Sequence, residues 1–277
     1  MEATSLTRAP PLPELIRLGL IGALLLLAAV GWLVTDERMA GMDMGPGTDP
    51  GTLGFWVTAW VVMMGAMMFP SISPMVLMYV RIQEGKRDKG RQDPPFGATA
   101  GFVGGYLLAW SVAGLAGYAI LWLGHEVSPG FLAWDNAGRY VAGAVIFAAA
   151  IYQLTPLKDV CLSKCRSPFA FLLTAWKPGR IGALRMGIEH GGWCVGCCWA
   201  LMAALLALGV MSVGWMAFVA ALIAVEKLLP WKGVANRSIA ILLAVLGLAV
   251  AVTPEHVPGL TVPASSDVAP AMKEMGM

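Results

Sequence analysis

Seven apolar runs, at about residues 16–34, 55–80, 96–123, 140–154, 187–208, 215–229 and 238–252, leave few folds open to this chain. A helix needs roughly 20 apolar residues to cross a bilayer. In lipid, only helices and closed barrels satisfy every backbone polar group. Runs this long suit helices, so the sequence predicts an all-α, polytopic membrane helix bundle with about seven transmembrane helices. The content of 58% hydrophobic and 13% charged residues is foreign to a soluble domain. A net charge of +2 gives no case for nucleic-acid binding. The 33 Gly and 18 Pro suit helices that approach closely and kink.

Three segments follow from this reading. Residues 1–15 form a flexible N-terminal tail, residues 16–252 the bundle, and residues 253–277 a polar, Met-containing C-terminal tail. The first apolar run begins like a signal peptide, with Arg8 and Arg17 ahead of it. It is long and lacks a convincing small-x-small cleavage site, and is read as a retained anchor. Basic residues then fall on alternate connectors: Arg81 to Arg91, Lys158 to Arg185, and residues 231–237. The positive-inside rule places these connectors and the N-terminus in the cytoplasm, and seven spans leave the C-terminus outside. No internal repeat is evident, which argues against a transporter built from two similar halves.

The fifth run carries the chemistry. His190, Cys194, Cys197 and Cys198 project at about 0°, 40°, −20° and 80° around a helix, so they share one face. One imidazole and three thiols form a soft-ligand surface suited to Cu(I), Zn(II) or an iron–sulfur unit. Small cysteines also pack well in bundles. However, ionisable groups within a span are functional by default. Cys161 and Cys165 lie in a segment that Pro156 and Pro168 bracket as a short turn or helix. Two thiols spaced i,i+4 there can join a metal site. On the predicted topology all five cysteines gather near the inner face, where thiols stay reduced. The C-x-x-C spacing alone also fits redox exchange. A Cys194–Cys198 disulfide does not fit helical i,i+4 geometry.

Methionines add further soft donors. Met63, Met64, Met67 and Met68 form M-M-x-x-M-M in the second run, just before Pro70. Thioethers bind Cu(I) without losing a proton, although packing beside a proline kink explains such residues as well. Met39, Met42 and Met44 repeat the spacing of Met272, Met275 and Met277. Both groups are predicted on the outer side as metal-capture sequences. Glu226, near the inner end of the sixth run, needs a partner at that depth. The options are Lys227, an arginine of a neighbouring helix, or a place at the metal site beside His190.

Several stretches together resemble a bacterial family of predicted metal-binding integral membrane proteins, a domain of unknown function. They are M-M-G-A-M-M-F-P-S from Met63, Y-Q-L-T-P-L-K from Tyr152, C-L-S-K-C-R-S-P from Cys161, H-G-G-W-C-V-G-C-C-W-A-L-M from His190, G-V-M-S-V-G-W-M from Gly209, and Glu226-Lys227. The resemblance covers about residues 50–250. It implies a multi-pass protein of the bacterial inner membrane that binds a metal, copper first and zinc or iron as alternatives. The family motif carries over onto His190, Cys194, Cys197 and Cys198, onto Cys161 and Cys165, and onto the four methionines Met63, Met64, Met67 and Met68.

The resulting expectation is Cu(I) handling: capture, transfer or delivery to a copper enzyme. The partners expected are the lipid bilayer, a copper enzyme, a metallochaperone or a larger membrane complex. A carrier is favoured over an enzyme. The first alternative is a metal-dependent membrane oxidoreductase or oxygenase subunit. The second is a structural subunit stapled by zinc.

Overall fold

The computed structural model describes residues 12–40, 51–88, 97–127, 134–209, 212–229 and 231–262. Nine α-helices make up almost all of these: α1 (Leu12–Met39), α2 (Leu53–Asp88), α3 (Ala98–Val127), α4 (Arg139–Tyr152), α5 (Pro156–Arg166), α6 (Pro168–Ala175), α7 (Gly179–Gly209), α8 (Val213–Leu228) and α9 (Lys232–Val252). No strand occurs among the described residues.

Five of the helices, α1, α2, α3, α7 and α9, are long and apolar enough to cross a bilayer. The helical segment ending in α4 and the following α5 together would make a sixth span, bent by 69° at the break between them. The remaining expected span, the sixth run, is α8, which has 16 residues and is short for a crossing. The exterior also suits lipid. Leu26, Leu33, Val112, Ile120, Ile241, Val245 and Leu248 are exposed on α1, α3 and α9. Many exposed large apolar side chains are a liability in water and ordinary in a membrane. The architecture is therefore compatible with a multi-pass membrane protein.

α7 is the centre of the bundle, packed against α3, α4, α5 and α8, while α1 pairs with α2 and α4 with α9. Glycine sets how closely α3 meets α7. A Cβ on Gly187 would strike the carbonyl of Phe102, and one on Gly105 would strike the carbonyl of Leu184. Small residues at helix interfaces are how membrane helices gain packing energy without a hydrophobic drive between them. This approach brings Phe102 and Tyr106 of α3 against the middle of α7. Gly187→Leu should therefore force α3 away. The expected result is a loss of at least about 1–3 kcal/mol, read as a lower thermal midpoint in detergent, whereas Gly192→Ala, inside α7 with open space around it, should leave the midpoint unchanged or slightly raised.

α2 runs unbroken through Pro70 and Pro74. Each proline removes one backbone donor. The carbonyl of Pro70, which residue 74 would normally serve, instead accepts from Ser73 Oγ at 2.8 Å. Two indoles stitch α2 to α3: Trp56 Nε1 donates to Gly114 O and Trp60 Nε1 to Trp110 O, each at 2.9 Å.

The stretch between the fourth and fifth apolar runs departs most from expectation. A short helix between Pro156 and Pro168 is present as α5, but the rest of the basic connector expected over residues 158–185 is helical too, occupied by α6 and the first turns of α7. Thr155 caps α5, its hydroxyl accepting from Lys158 N, with Pro156 starting the helix; Pro168 starts α6 in the same way. Lys158, counted among the loop's solvated charges, is fully buried. α7 begins at Gly179 rather than Gly187, so its cysteines fall near the middle of a 31-residue helix and not in its first half.

Candidate metal centre

Cys194 and Cys197 project from α7 toward α5, which contributes Cys165. The three sulfurs all lie within 4.8 Å of one another. Cys165 Sγ is 3.6 Å from Cys197 Sγ, and Cys198 Sγ is 3.3 Å from Cys197 Sγ. Cys194, Cys197 and Cys198 are buried, Cys165 is half-buried, and all five cysteines are free thiols. Cys161 sits against Gly196, where a Cβ would come within 2.8 Å of its sulfur. Gly196 thus makes room for the first thiol of α5. Two cysteines one turn apart on α5 and three within five positions on α7 place every thiol of the chain around one helix crossing.

Polar groups close the site on two other sides. Tyr106 of α3 lies with its hydroxyl 3.0 Å from Cys194 Sγ. Lys227 of α8 donates to the same sulfur at 3.0 Å. The Lys227 ammonium also reaches Ser71 Oγ at 3.4 Å and Met68 Sδ at 4.0 Å on α2. Lys227 thus links the thiols to the methionine run. Met63, Met64, Met67 and Met68 are all buried in the core, and of the four it is Met68 whose sulfur meets Lys227.

Glu226 and Lys227 are neighbours in sequence and face different partners, as a step of about 100° around a helix requires. Lys227 turns to the sulfurs. Both carboxylate oxygens of Glu226 accept from Lys158 Nζ of α5, at 2.8 and 2.7 Å. Both side chains of this pair are completely buried. Arg166, also on α5, donates to the carbonyls of Glu226 and Leu229. It thereby serves orphan acceptors at the C-terminus of α8, where a cation also suits the helix dipole. These contacts fix α5 to α8 and hold Cys165 in place beside α7. The three partners weighed for Glu226 in sequence did not include Lys158, and the carboxylate does not join the sulfur group.

His190 lies one helical turn from Cys194. Its ring is enclosed by Phe102, Tyr106 and Phe171, with centroids 6.1, 5.9 and 5.1 Å away. It is 3% exposed, and its Nδ1 makes no hydrogen bond among the described residues. The imidazole is thus adjacent to the sulfur group without belonging to it. Met39, expected in an exposed outer loop, is the last residue of α1 and is buried. Met42, Met44, Met272, Met275 and Met277 lie outside the described residues.

Sequence reasoning missed Tyr106 and the Lys227–Cys194 contact. Tyr106 gave no local signal, since it sits in an apolar run rich in aromatics. Lys227 gave one: a lysine inside an apolar run, next to a glutamate, is costly unless both are engaged. Pairing the two with each other was the simplest guess and the wrong geometry.

Comparison with known proteins adds one finding. Residues 57–250 match the family described as PpoB2: Copper chaperone. The match spans every residue of the centre and leaves the two outer methionine groups beyond its ends. No curated protein and no solved structure matches the chain.

Proposed function

The chain belongs to the PpoB2 copper chaperone family, and from that premise we propose that it is a multi-pass protein of the bacterial cytoplasmic membrane that holds Cu(I) on Cys165, Cys194 and Cys197 and passes it to a copper enzyme. The observation that carries this reading is the meeting of three sulfurs from two helices within 4.8 Å. Thiolates are soft donors that favour Cu(I) over hard cations. The residues fit such a cargo: the donors converge, they are shielded from water, and α5 is tied down on α8 by the Lys158–Glu226 pair.

The remaining donors define a route. Met63, Met64, Met67 and Met68 offer neutral thioethers in the core of α2, and Met68 approaches the thiols through Lys227. An ion moving from thioethers to thiolates passes from weaker to stronger ligands, which gives transfer a direction. Met42, Met44, Met272, Met275 and Met277 serve as outer capture groups ahead of this step. Cys198 and Cys161 supply further thiols beside the three. His190, with an unpartnered buried nitrogen one turn from Cys194, offers the next ligand when the ion leaves. An unmet buried nitrogen costs about 1–3 kcal/mol, which intermittent ligation would offset.

Element analysis of the full-length protein purified from copper-replete cells tests this. Copper near one equivalent per chain, with zinc well below it, is the expected result. Stoichiometric zinc without copper would instead support a stapling site that joins α5 to α7.

A further inference from the structure

We propose that Lys227 is a specificity-determining residue, whose fixed positive charge biases the thiol site toward a monovalent soft cation over a divalent one. This deepens the copper reading above and rests on it. Three observations point the same way. The Lys227 ammonium lies 3.0 Å from Cys194 Sγ, within the group that would hold the ion. Its other contacts, Ser71 Oγ and Met68 Sδ, are uncharged. The adjacent carboxylate that would neutralise it, Glu226, is held on both oxygens by Lys158. Among the described residues no ion pair involves Lys227. Its charge is left to act on the sulfurs.

The consequence does not depend on how many thiolates bind. Cysteine ligates as thiolate, each thiolate bringing one negative charge. For any number of thiolates, the Cu(I) form of the site carries one more negative charge than the Zn(II) form. An ammonium at hydrogen-bond distance attracts that extra charge, and the attraction is strong in an interior that water does not screen. Lys227 therefore favours Cu(I) over Zn(II) on the same ligands. Size and softness of the ion act alongside this through the sulfurs themselves.

The test uses the full-length protein in detergent under reducing conditions: wild type, Lys227→Gln and Lys227→Arg, neither of which adds a sulfur donor. Cu(I) affinity is measured by competition with a chromophoric Cu(I) chelator, and Zn(II) affinity with a zinc-specific one. The ratio of Cu(I) to Zn(II) affinity should fall on the order of 10- to 100-fold in Lys227→Gln. Lys227→Arg, which keeps the charge, should return it to within about threefold of wild type. An unchanged ratio in Lys227→Gln, or an equal fall for both metals, overturns the proposal, because packing or positioning alone would act on both ions alike. Should Lys227→Gln not purify in folded form, Lys227→Leu supplies the same neutral comparison. A wild type that takes up no Cu(I) at all overturns the copper reading together with this one. A wild type that binds Cu(I) while the ratio stays fixed overturns only the role of Lys227.

Discussion

Cys194→Ala combined with Cys197→Ala should reduce Cu(I) affinity by on the order of 10⁴-fold. The scale comes from structural zinc sites, in which four ligands supply about 10–16 kcal/mol. That is about 3 kcal/mol per ligand, or on the order of 100-fold each. Cys194 and Cys197 are two of the three mutually close sulfurs and come from one helix, so removing both leaves only Cys165 of that group. Alanine is well tolerated in a helix interior, so the fold should persist. The check is chelator competition alongside a thermal midpoint. Cys161→Ala should matter less, because Cys161 lies beyond the close group, against Gly196. If the double variant kept wild-type affinity, the sulfurs of α7 would not be the ligands.

The second large effect concerns stability. Lys158→Met should destabilise the protein by about 3–5 kcal/mol, because it leaves the Glu226 carboxylate buried without its partner. For a chain of this size that corresponds to a fall of roughly 10 °C in thermal midpoint. The double variant Lys158→Met/Glu226→Leu should recover most of the loss, since a buried ion pair replaced by apolar groups of similar volume is often neutral. Both side chains are completely buried and bonded to each other through both oxygens, so the contrast between single and double variants should be sharp. A second consequence separates this pair from an inert staple. α5 carries Cys165, and Lys158 joins α5 to α8, so Lys158→Met should also weaken Cu(I) binding, by less than loss of the α7 thiols. A double variant as unstable as the single one would mean that the apolar side chains fail to pack where the pair had been.

These two effects differ in how far the sequence foretold them. The face shared by Cys194, Cys197 and Cys198 follows from helical periodicity alone, because all three lie within one and a half turns. That Cys165 meets them depends on how α5 folds back after the Tyr152 end of α4, a 69° bend that no local pattern specifies. The bounds of α5 were legible from Pro156 and Pro168, which bracket it. Its burial was not, because Lys158 reads as a solvated loop charge until Glu226 is seen beside it. The positive-inside rule counts lysines without knowing which are paired, and Lys158 is one it should not have counted.

The longer apolar helices were legible because hydrophobic length is a property of the segment itself. α8 was harder: it has only 16 residues, apolar up to Glu226 and Lys227, and its C-terminal end is shaped by contacts with α2, α5 and α7. His190 shares the cysteine face, and the structure puts its ring in an aromatic box formed by α3 and α6, outside the close sulfur group. Angular position on a helix fixes direction but not depth, and one turn along the axis is enough to separate an imidazole from a sulfur group.

The most direct test of the whole account is copper-edge X-ray absorption on the Cu(I)-loaded, full-length protein in detergent. The account predicts a first shell of two or three sulfur atoms with no nitrogen in the resting complex, and loss of that shell in Cys194→Ala/Cys197→Ala. A shell dominated by nitrogen or oxygen, or a sulfur shell that survives in the double variant, would contradict it.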